Sequence, residues 1–101
     1  MSTIVVTGAI QAKKENVDAF RSAFVEYTQK CANEPGVIAF NIHEANDSPG
    51  YFVIYERWAS MELFDEHVKG KLLADFIAAN SKFIAHSEDP RFLTPLAEAI
   101  G

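Results

Sequence analysis

Two neighbouring segments, Val37 to Ala45 and Tyr51 to Trp58, read as strands that are apolar on both faces, and this limits the possible folds most sharply. The link between them, Asn46-Asp47-Ser48-Pro49-Gly50, is dense in turn residues and short enough for a hairpin. In the simplest register one face carries Ile38, Phe40 and Ile42 with Phe52, Ile54, Glu56 and Trp58. The other carries Val37, Ala39, Asn41 and His43 with Tyr51, Val53, Tyr55 and Arg57. A sheet apolar on both sides needs two covers. The first face suits helices, and the second, milder and richer in Tyr, suits a subunit interface.

The remaining segments supply the first cover. Thr3 to Ile10 alternates loosely and is β-branched, so it reads as a strand, with Ile4, Val6 and Ile10 on one side and Val5, Thr7 and Ala9 on the other. From Glu15 the period changes. Val17, Phe20, Phe24, Tyr27 and Cys31 fall at steps of three and four, predicting a helix that stops at Asn33-Glu34-Pro35-Gly36. Ser60 reads as the N-cap of a short helix closed by Gly70, and Lys71 to about Ala85 as a further helical stretch. Phe92 to Leu96 reads as a last short strand, placed at an edge because Pro95 lacks an N–H. Strand, helix, two strands, helix in two pieces, strand predicts an α+β ferredoxin-like sandwich with a four-stranded antiparallel sheet and helices on one face. One domain is expected over residues 1–101. Two copies packed sheet to sheet would supply the second cover.

Charge and composition narrow the partners. Nine Lys plus Arg against fourteen Asp plus Glu leave a net charge of −5, which argues against nucleic acid or an anionic membrane surface. No apolar run is long enough to span a bilayer. One cysteine, Cys31, excludes an internal disulfide and is expected to pack as a small hydrophobe at the end of the first helix. With no basic n-region at Met1-Ser2-Thr3-Ile4, a cytoplasmic location is expected. No Gly-rich phosphate loop, nucleophile elbow or zinc-binding helix motif is present. Three scattered His predict no metal site, and no cofactor is expected.

Glu56 is the oddest residue in its setting. It interrupts the face made by Phe40, Ile54 and Trp58, where an ionised carboxylate is costly unless paired. His67 follows Leu63 and Phe64 by four and three residues and therefore looks inward with them. An inward imidazole beside a buried carboxylate makes a proton-transfer pair; the structural alternative is a buried pair that holds a helix. Trp58 is either core or a surface on which a flat ligand stacks. Asn80 either points into the same cavity or caps a solvent edge. His43 and Asn41 are expected as interface polar groups, and His86 as a helix C-terminal residue.

The stretch Glu34-Pro35-Gly36-Val37-Ile38-Ala39-Phe40-Asn41-Ile42-His43, with Tyr51-Phe52-Val53-Ile54-Tyr55-Glu56-Arg57-Trp58 and Phe64-Asp65-Glu66-His67, resembles the antibiotic biosynthesis monooxygenase family. The shared pattern is a Pro-Gly turn, a hairpin, a Glu-x-Trp and a His about nine residues later. The resemblance implies a dimeric α+β barrel, with the active site between sheet and helices and the dimer formed through the bare sheet face. It implies that Glu56, Trp58 and His67 line that cavity. Many members have a second His where this chain has Leu72, and a Tyr where it has Phe40.

The leading expectation is a cofactor-independent monooxygenase that takes an aromatic small molecule, a quinol or polycyclic phenol, together with O₂. Glu56 and His67 are its catalytic candidates, and Trp58, Phe40, Ile54, Phe64 and Asn80 its substrate-contacting ones. One alternative is an acid–base isomerase of a small phosphorylated keto sugar, which would need a cationic clamp. Another is a non-enzymatic small-ligand-binding dimer, which a filled interior would favour. Haem degradation is a further option within the resemblance.

Overall fold

A computed structural model describes residues 3–99. Met1 and Ser2, on which the reading of the chain's start partly rests, lie outside them, as do the last two residues of the expected 1–101 domain. The elements are β1 (Ile4–Ala12), α1 (Val17–Cys31), β2 (Val37–Glu44), β3 (Tyr51–Trp58), α2 (Met61–Lys69), α3 (Lys71–Asn80) and β4 (Ile84–Leu93). Single 3₁₀ turns at Lys14–Asn16 and Ser81–Phe83 lead into α1 and β4. The sheet is antiparallel throughout, in the order β2-β3-β1-β4, and the whole is the α+β ferredoxin-like fold.

The α1 stripe does what its spacing predicts. Phe20, Phe24, Tyr27 and Cys31 are buried and pack on Phe52 of β3 and Phe76 of α3. Phe24 stands within 5.2 to 6.3 Å, centroid to centroid, of Phe20, Phe52, Phe76 and Tyr27. A second cluster, Val6, Trp58 and Phe64, joins β1 and β3 to α2. Ser60 caps α2 as expected, its hydroxyl accepting from the Leu63 N–H at 3.2 Å. Arg21 of α1 grips Glu44 at the end of β2 through two nitrogens, at 2.7 and 2.8 Å. With the Gly50 N–H, that grip holds the Glu44 carboxyl at about 2, well below its ordinary value.

Three expectations are corrected. The helix predicted to reach Ala85 ends at Asn80, and the last strand is ten residues long, not a short piece over Phe92 to Leu96. Its sequence is polar and turn-like, and pairing with β1 is what makes it extended, since strand formation depends on context more than helix formation does. It does lie at the sheet edge. Pro90 fits because Thr7 pairs with Arg91 and Ala9 with Glu88, so Gly8 faces both Asp89 and Pro90 across a β-bulge. His86 consequently stands on β4 opposite Gln11, not at a helix end.

The third correction is one of register. Val37, not Ile38, pairs with Trp58, because a bulge follows it before Ala39 meets Arg57. Val37 joins the inner face and Ile38 is turned out, 54% exposed. Beyond the bulge the predicted pairing holds: Phe40 opposite Glu56, Asn41 opposite Tyr55, Ile42 opposite Ile54. Asn41 and His43 are exposed on the outer face. Arg57, on that face, is bonded to Tyr55, Thr3 and Glu98.

Candidate active site

Between the two apolar clusters lies a cavity of about 330 Å³. The sheet floor contributes Val6, Ile10, Phe40, Ile54 and Glu56. Helix α1 gives Phe24 and Tyr27, α2 gives Phe64, His67 and Val68, and α3 gives Leu73, Phe76 and Ile77. Ile84, Ser87 and Pro90 of β4 complete it, and the exposed Val68 and Ile77 contribute an apolar rim. The lining is thus almost wholly aliphatic and aromatic, with a few convergent polar groups, as in small-molecule sites generally.

Glu56 reaches this wall because even-numbered β3 residues face the helices. Burial raises its carboxyl above the ordinary value, opposed by the hydrogen bond from Trp58 and by the nearby His67 imidazole. Trp58 Nε1–H donates to Glu56 Oε1 at 2.9 Å. Trp58 itself is fully buried, does not line the cavity, and stands behind His67 with ring centroids 4.7 Å apart. Its place is therefore that of a donor and a backing wall; the ligand-stacking surface expected of it is not offered.

His67, 6% exposed, shares the cavity wall with Glu56. Its hydrogen-bonded carboxylate is a different one: Nδ1 is joined to Glu34 Oε1. On the opposite edge of the ring, Nε2 lies 3.4 Å from the Tyr27 hydroxyl. Neither Glu34 nor Tyr27 stands out in the sequence as a site residue. Glu34 opens the Pro-Gly turn already singled out, and Tyr27 lies on the α1 stripe, where its spacing reads as core. Tyr27 restores a phenolic hydroxyl near the position where Phe40 lacks one, the two rings meeting edge to face at 6.0 Å. Burial, followed by the Cys31 thiol beside it, holds the Tyr27 phenol far above its ordinary range, so it stays protonated at neutral pH.

Phe40, Ile54 and Phe64 line the cavity. Asn80 does not. It is buried against its own helix, its Nδ2 donating to the Phe76 carbonyl at 3.0 Å, and it borders a separate groove between α1 and α3.

The Pro-Gly turn places Glu34. Gly36 has φ of 86°, in the left-handed region, and a Cβ there would lie 2.5 Å from Leu63 Cδ1. Only glycine lets the loop lie this close to α2. Leu63 and His67 are one helical turn apart, so a loop seated on the first delivers Glu34 to the second.

Cys31, Glu34 and His67 bring one ligand atom each within 4.8 Å of one another, a grouping that sequence spacing did not reveal. A cation there would have to displace the Glu34–His67 hydrogen bond and ionise a thiol that burial pushes up to about 12. We read Glu34 and His67 as a hydrogen-bonded pair with the protonated Cys31 thiol beside it.

Comparisons with known proteins agree with this architecture. The family model for antibiotic biosynthesis monooxygenase (ABM) matches residues 3–79. The solved structure of PA3566 from Pseudomonas aeruginosa superimposes with a TM-score of 0.87 at 15% identity, covering 96% of this chain and 97% of that one. Rv0793 from Mycobacterium tuberculosis gives 0.85 at 22% identity, covering 98% and 100%. A third structure, named antibiotic biosynthesis monooxygenase, gives 0.79 at 20% identity, covering 94% and 98%. At these identities the likeness is one of fold. Comparison with curated proteins gives no significant match. Among the described residues no helix is long and apolar enough to cross a membrane. The family model, spanning most of the length, establishes that this chain belongs to the antibiotic biosynthesis monooxygenase family.

Proposed function

We propose that this chain is a cofactor-independent monooxygenase of a quinol or polycyclic phenol, with Glu56 and His67 as its acid–base groups. The observation that carries the reading is that a desolvated carboxyl and a buried imidazole stand on the wall of one otherwise apolar cavity of about 330 Å³. Phe40, Phe64, Phe76 and Ile54 offer flat and aliphatic contact to a ring. Removing a phenolic proton leaves an electron-rich anion that reacts with O₂ at a ring carbon bearing hydrogen. The resulting hydroperoxide loses water, so one oxygen atom stays on the ring as a carbonyl and the other leaves. The protein's part is to take the proton, hold the ring and exclude bulk water.

The isomerase alternative needs a cation for phosphate. Among the described lining residues there is no Lys or Arg; Arg57 lies on the other face of the sheet, and Lys71 pairs with Asp75. A non-enzymatic scaffold is favoured by a filled interior, whereas this one reaches the ~300 Å³ at which ligand pockets begin. The outer sheet face, with Val53 and Leu93 exposed and no helix over it among the described residues, is the surface through which a second copy is proposed to pair.

The test is O₂ consumption with a panel of quinols and polycyclic phenols. Uptake is expected with the wild type, falling about 10²- to 10⁴-fold in Glu56→Gln or His67→Ala, the usual contribution of acid–base catalysis. Uptake that both variants retain, or no uptake with any compound that binds, overturns the reading.

A further inference from the structure

We infer that Glu34 is a positioning residue that locks His67 in its Nδ1–H tautomer, leaving the Nε2 lone pair facing the cavity as the proton acceptor for a bound hydroxyl. The acceptor role rests on the function proposed above; the tautomer does not.

An ionised carboxylate only accepts hydrogen bonds, so the bond between Glu34 Oε1 and His67 Nδ1 requires the proton on Nδ1. A neutral imidazole then carries its lone pair on Nε2. The group standing opposite Nε2 is consistent with this: the Tyr27 hydroxyl, kept protonated by burial, is a donor, and its 3.4 Å distance makes the bond a weak one. A substrate hydroxyl can replace so loose a partner.

His67 also stands at a boundary. It borders both the inner cavity and a smaller pocket of about 160 Å³ lined also with Glu34, Pro35, Leu63 and Glu66. Among the residues lining these two spaces, His67 is the one they share. Glu34 lines the smaller pocket and not the cavity, so it holds Nδ1 from outside the cavity. The substrate O–H bond breaks and Nε2–H forms, giving an imidazolium. Glu34 keeps hold of the Nδ1–H throughout, and Nε2–H later returns its proton to the peroxide oxygen that leaves as water, restoring the Nδ1–H ring; no electron moves in either proton transfer. The other ionisable groups around the ring are Glu56 on the cavity side, the Cys31 thiol, held protonated by burial, and the exposed Glu66.

Long-range ¹H–¹⁵N correlation spectra of the ligand-free protein read the tautomer directly. His67 is assigned among the three histidines by the signals missing in His67→Gln. The wild type is expected to show a protonated Nδ1 and a bare Nε2. Glu34→Ala is expected to shift His67 toward the Nε2–H form that free imidazole side chains favour, with Glu34→Asp intermediate and Tyr27→Phe unchanged. Backbone amide spectra confirm that each variant is folded. A wild-type His67 protonated on Nε2, or a tautomer indifferent to Glu34→Ala, overturns the inference. With an oxidised phenol in hand, Glu34→Ala is expected to lower kcat about 10²-fold with KM little changed, as for a displaced catalytic group; a change in KM alone also overturns it. A locked tautomer in a protein that oxidises no phenol would sink the proposed activity while leaving the positioning role intact.

Discussion

Replacing Gly36 with alanine tests the link between the Pro-Gly turn and the site. Two costs combine. At φ of 86° an L-residue carries about 1–2 kcal/mol of left-handed strain. The new methyl would also stand 2.5 Å from Leu63 Cδ1 and 2.8 Å from its Cβ. Side chain and helix must yield to it, and overpacking of that kind costs ~1–3 kcal/mol. Together the loss is about 2–5 kcal/mol, a large share of the ~5–15 kcal/mol that holds a small protein folded. Trp58, the only tryptophan and fully buried, makes urea unfolding easy to follow by fluorescence. Repeating the substitution in a Leu63→Ala background removes the Cδ1 and Cγ overlaps while keeping the backbone strain and the Cβ contact. The cost should fall in that background by about 1 kcal/mol or more, a coupling that a double-mutant cycle isolates. A loss under ~0.5 kcal/mol, or one equal in both backgrounds, would refute the argument that close approach to α2 demands glycine here.

Two further outcomes follow from the same reasoning. Because burial raises Glu56 in the folded state, its contribution to stability is complete below the ordinary carboxylate value and is lost as pH rises through the raised one. Glu56→Gln should therefore gain on the wild type with rising pH, by about 1.4 kcal/mol for each pH unit by which burial lifts the carboxyl, and hold a constant difference at acid pH; urea midpoints across pH check this, and a difference independent of pH contradicts it. Phe24→Ala empties a position 2% exposed and ringed by four aromatic side chains. It should cost about 3–5 kcal/mol in the same unfolding assay, and a loss below ~1 kcal/mol would mean that this ring is not the centre of the core.

Most of what the sequence determined is local and periodic. Steps of three and four placed Phe20, Phe24, Tyr27 and Cys31 on one buried face of α1. Alternation placed Phe40, Ile54 and Glu56 under the helices, and the spacing from Leu63 turned His67 inward. Element order then led to the ferredoxin-like sheet. Periodicity reports burial because a side chain's direction depends only on its own helix or strand. It cannot report which buried group meets which.

What only the tertiary structure decided has that character. The His67 partners, Glu34 and Tyr27, lie 33 and 40 residues away along the chain, and the predicted neighbour Glu56 shares the cavity without sharing the proton bond. Trp58 reads equally well as core or as a ligand platform until its fully buried position and its bond to Glu56 are known. Asn80 turned back onto its own helix, and the polar segment Ile84–Leu93 became a strand because β1 offered it an edge. The bulge at Val37 reversed two adjacent side chains, since one unpaired residue exchanges the faces of those around it. Each depends on groups brought together by folding, and the energy of such a contact appears only once the chain has closed.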